Sequence, residues 1–119
     1  MQIANDDFLV AKELLNSDNI FPRSICFHLQ QSAEKFFKAY LVYFDLDIIK
    51  THDLTTLINK LSNADGEVIK FIEAATVLTP YAISVRYPDD FELISDEELK
   101  EAYKLAEEIK NYIQSKIIL

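Results

Sequence analysis

Pro22-Arg-Ser-Ile-Cys-Phe-His-Leu-Gln-Gln-Ser-Ala-Glu-Lys-Phe-Phe-Lys-Ala-Tyr-Leu-Val-Tyr-Phe44 is the stretch that decides the fold. Apolar residues recur in it at the spacing of one helix face, through Cys26, Leu29, Ala33, Phe37, Tyr40 and Phe44. A proline suits the first helical turn, where its missing N–H costs nothing. The later half is apolar almost all round, which marks a helix enclosed by others. The stretch therefore predicts the central helix of a bundle.

The flanks repeat the signal. Ala4, Phe8, Ala11 and Leu15 share a stripe over Ile3–Leu15, and Asn16–Asn19 read as a break. Leu54, Leu57, Ile58 and Leu61 form the buried stripe of a third helix, with Thr51 as its expected N-cap. Ser62–Gly66 read as a turn, followed by a fourth helix facing inward through Val68, Ile69, Ile72, Ala75 and Leu78 or Thr79. Pro80 is expected to kink that helix or to start a separate turn. Ser95-Asp-Glu-Glu98 is a capping box, with Ile94 and Leu99 as its hydrophobic staple. Beyond it Leu99, Ala102, Tyr103, Ala106, Ile109, Ile113 and Ile117 line the last helix. The expected fold is all-α: a five-helix antiparallel up-and-down bundle, with residues 1–119 as a single domain.

Composition agrees. The 119 residues include one glycine, where average usage gives about 8. Hairpins and Gly-rich phosphate loops need glycine at positive φ, so both are disfavoured. One cysteine makes neither an intrachain disulfide nor a multi-thiolate zinc site. The two histidines show no ligand spacing, so no metal and no cofactor are expected. The N-terminus has no basic signal-peptide region, and no apolar run approaches the roughly 20 residues of a membrane span. These features predict a cytoplasmic domain. The net charge of −8 disfavours constitutive nucleic-acid binding. Nearly all of that charge lies between Asp89 and Glu108, where nine acids face Lys100 and Lys104.

The polar side of the central helix holds the first candidate site. His28, Gln31, Lys35 and Lys38 fall within about 80° of one another around its axis. Two ammonium groups, an imidazole and an amide can bind a phosphate or the acidic edge of a partner. The alternative is the solvated face of an amphipathic helix, with Glu34 paired to Lys38 at i,i+4. Arg86 and Tyr87, in the loop before Pro88, offer bidentate phosphate recognition and a stacking face, or a salt bridge to the last helix. His52 precedes Asp53 at the start of the third helix, where it can meet a phosphate or fix the loop by hydrogen bonding. Cys26 lies on the apolar face and reads as core. No nucleophile turn or phosphate-binding loop is present, and no catalytic residue is assigned.

Three blocks, Cys26-Phe-His-Leu-Gln-Gln-Ser-Ala-Glu-Lys-Phe-Phe-Lys38, Lys50-Thr-His-Asp-Leu54 and Ser84-Val-Arg-Tyr-Pro-Asp89, together resemble a small stand-alone HEPN domain protein. The resemblance covers nearly the whole chain. It implies a five-helix up-and-down bundle, usually a homodimer, often encoded beside a minimal nucleotidyltransferase with which it forms a toxin–antitoxin pair. Many HEPN domains are metal-independent ribonucleases that use Arg-x(4–6)-His late in the domain. Here Arg86 occupies the comparable region and no histidine follows it. Arg23-Ser-Ile-Cys-Phe-His28 fits the spacing but begins the second helix. The expected function is therefore binding of a nucleotide, of a partner nucleotidyltransferase, or of both. The alternatives are a metal-independent endoribonuclease acting on RNA, and a structural dimerisation module without ligand.

Overall fold

In the computed structural model, which describes residues 2–16, 21–82 and 94–117, the long apolar stretch forms one uninterrupted helix. The described residues form five α-helices and two 3₁₀ segments, with no strand among them. They are α1 (Gln2–Leu15), α2 (Pro22–Tyr43), α3 (Leu54–Leu61), α4 (Ile72–Leu78) and α5 (Asp96–Lys116), with 3₁₀ turns at Gly66–Phe71 and Thr79–Ala82. Helix α2 packs against α1, α3 and α5, as an apolar circumference requires. Its residues Ile25, Leu29, Ala33, Phe36, Phe37 and Leu41 are fully buried. Ala4, Phe8 and Ala11 of α1 and Leu99, Ala102, Ala106, Ile109 and Ile113 of α5 close over the same core.

The ends of the helices carry their own signatures. Ser95 Oγ accepts from the Glu98 N–H, and the Glu98 carboxylate accepts from the Ser95 N–H, completing the expected capping box. Ile94 packs against the core beside it. Helix α2 ends without glycine. Asp45 takes the left-handed conformation at φ 58°, its N–H meets the Val42 carbonyl, and the Leu46 N–H reaches back to the Leu41 carbonyl. Those two bonds form a Schellman motif.

Two expectations need correction. The N-cap of α3 is Asp53, which accepts from the Thr55 N–H at 3.0 Å. Thr51 acts one step earlier, its Oγ1 accepting from the Asp53 N–H and fixing the approach. The fourth helix does not start as an α-helix. Gly66–Phe71 wind as 3₁₀, with three residues per turn, so Val68 and Phe71 share the buried face while Ile69 is turned outward. Pro80 lies in the second 3₁₀ segment, a separate turn rather than a kink in α4.

Candidate functional site

The four side chains predicted on α2 do share one half-buried face, and the structure gives that face two carboxylates. Asp7 reaches across from α1. Its Oδ1 lies 3.2 Å from His28 Nδ1 and its Oδ2 accepts from Lys35 Nζ at 2.5 Å. A Ser32 hydroxyl bond to the Ala4 carbonyl holds the two helices in this register. Glu34 is the second carboxylate, and only 4% of it is exposed. Its Oε2 accepts from Lys38 Nζ at 3.0 Å, and its Oε1 lies 2.7 Å from His52 Nδ1. The i,i+4 pair expected from sequence is thus one arm of a larger network.

Gln30, fully buried, ties that network to the loop before α3. Its Nε2 donates to the His52 carbonyl at 3.1 Å and to Glu34 at 3.4 Å, while its Oε1 accepts from Gln31 at 2.7 Å. Burial alone would raise the Glu34 carboxyl. The hydrogen bonds from His52, Lys38 and Gln30 outweigh it and hold the group below the usual carboxylate range. Glu34 is therefore a buried anion with several donors aimed at it, the condition under which such a charge is tolerated.

His52 fixes its loop by hydrogen bonding through both its ring and its carbonyl, although its side chain is 71% exposed. His28 and His52 are served by different carboxylates, Asp7 and Glu34. Arg86 and Tyr87 lie outside the described residues. Burial pushes the Cys26 thiol up to about 11, which makes it a protonated core residue at neutral pH. Among the described residues no three metal-ligating side chains converge, and no helix is long and apolar enough to cross a membrane.

Sequence reasoning passed over Asp7 and Gln30. Asp7 follows Ala4 by three residues and precedes Ala11 by four, which sets it on the flank of the buried stripe of α1. That placement was a usable sign. Gln30 gave only half a sign, since its contact with Glu34 follows i,i+4 spacing whereas its bond to the His52 carbonyl spans 22 positions.

A third carboxylate works at the opposite side of α2. Asp65 accepts from the hydroxyls of Tyr40 (2.6 Å) and Tyr112, and its other oxygen caps the Gly66–Phe71 turn through the Glu67 N–H. These bonds pin the turn to α2 and α5.

Comparison with known proteins gives one match. No curated protein and no solved structure matches the chain. The family model of the HEPN domain matches residues 1–116, nearly the full length. This chain belongs to the HEPN domain family.

Proposed function

We propose that this chain is a cytoplasmic binding protein of the toxin–antitoxin kind, an antiparallel up-and-down bundle that acts as a homodimer. Its task is to hold a partner minimal nucleotidyltransferase, a nucleotide, or both, on the exposed side of α2. Arg86 and Tyr87, outside the described residues, are proposed as further contact residues. The observation that carries this reading is the order of the α2 face. His28, Gln31, Lys35 and Lys38 are each held by a hydrogen bond within the protein. Each ammonium has three N–H donors and gives one to its carboxylate, so a preorganised set of donors faces outward. No histidine follows Arg86, which supports binding over RNA cleavage.

Calorimetry with ATP and GTP, together with co-purification against the product of the adjacent gene, tests the reading. Binding of either one is the expected result. Silence in both contradicts it. Cleavage of structured RNA in EDTA that disappears with His28→Ala or His52→Ala contradicts it as well.

A further inference from the structure

Two trios with the same wiring stand on the polar side of α2. In one, the Asp7 carboxylate meets Lys35 through Oδ2 and His28 through Oδ1. In the other, the Glu34 carboxylate meets Lys38 through Oε2 and His52 through Oε1. Each carboxylate is matched by one ammonium, so the charge of each lysine is cancelled while its imidazole is neutral. The two imidazoles therefore decide the net charge of this face. Histidine is the side chain that ordinarily changes charge between pH 5 and 8.

Geometry fixes where the extra proton goes. A carboxylate only accepts, so the nitrogen that faces it, Nδ1 in both rings, carries a hydrogen. Nε2 is then a lone pair in the neutral ring and takes the next proton. His52 reaches well into solvent and His28 is half-buried. Protonation turns an acceptor that repels an anion into a charged N–H donor, beside a lysine bound to the same carboxylate. Other charged groups stand near both rings. Asp6 is next to Asp7 in α1, and Arg23 precedes His28 along α2. Lys50 and Asp53 flank His52 in its loop, with Asp53 committed to the N-cap of α3.

A phosphate group fits such a trio, because its oxygens accept from an imidazolium and an ammonium at once. We propose that protonation of His28 and His52 turns this neutral face cationic, so that its hold on a nucleoside triphosphate strengthens as pH falls below neutrality. The proposal rests on the reading of α2 as a binding face and names the regulation of that face.

Calorimetry with ATP, without added metal, compares the full chain at pH 8 and pH 6. The comparison variants are His28→Asn and His52→Asn, singly and together, after circular dichroism shows them folded. Asparagine places an amide N–H where Nδ1 stands and does not titrate in this range. Affinity of the parent should rise about tenfold from pH 8 to pH 6. In the double variant it should stay flat or fall, because the terminal phosphate itself gains a proton over this range. In the parent at pH 7, adding ATP should move the imidazole ring-proton NMR shifts toward the protonated form. A pH-independent affinity, an equal rise in the double variant, unmoved ring shifts, or no ATP binding at either pH would overturn the proposal. Lys35→Glu/Lys38→Glu separates the two levels. ATP binding that is equal at both pH values and lost in this variant overturns the switch and leaves the α2 reading standing. ATP binding that survives the lysine substitutions at both pH values defeats the α2 reading itself.

Discussion

Glu34 joins two elements through one buried charge, and removing it leaves Lys38, His52 and Gln30 without their common acceptor. Glu34→Ala is predicted to cost about 3 kcal/mol, the usual penalty for breaking a buried ion pair. Urea unfolding at pH 7 measures it. Acid should act in the same direction. Glu34 and Asp65 are both held below their ordinary values of 4.5 and 3.8. A depressed carboxyl stabilises the fold above its unfolded pKa, and that contribution is lost as pH falls through the lower folded value. Stability should therefore decline below a pH of about 4.5, and Glu34→Gln should lose less between pH 7 and 3 than the parent does. Tyr112→Phe removes one hydroxyl from Asp65 and should cost about 1 kcal/mol. These networks were half legible. Glu34–Lys38 follows from i,i+4 spacing, whereas Asp7 meets His28 and Lys35 across 21 and 28 positions, a distance only the packing of α1 on α2 closes.

Helix ends were legible where the signal was local and complete. The α5 box was readable because Ser95, Glu98 and the Ile94–Leu99 staple all fall within six residues. Ser95→Ala should weaken that end by about 1 kcal/mol, read as a lower thermal midpoint. The α3 cap was misplaced because Thr51 and Asp53 are both capping residues and their division of labour depends on backbone angles. The Gly66–Phe71 turn was invisible because a 3.0-residue period and a 3.6-residue period differ little over six positions. At the end of α2 the left-handed residue is Asp45 rather than glycine. Asp45→Gly is predicted to stabilise the protein by about 0.5–1 kcal/mol in urea unfolding, because glycine takes that conformation without a steric cost.

At the scale of the whole molecule, the net charge gathers late in the sequence and the proposed binding face lies on α2. The acids between Asp89 and Glu108 carry nearly all of the net −8, while each lysine on the exposed side of α2 is paired with one carboxylate. Salt should therefore affect partner association modestly, since paired charges leave little long-range field. The central claim is that the α2 face binds a partner. Its most direct test is calorimetric titration of the adjacent gene product into the parent chain and into Lys35→Glu/Lys38→Glu, after circular dichroism shows both folded. The account predicts binding to the parent that weakens by about tenfold or more in the variant. Equal affinity for the two proteins, or no heat with either, would contradict it.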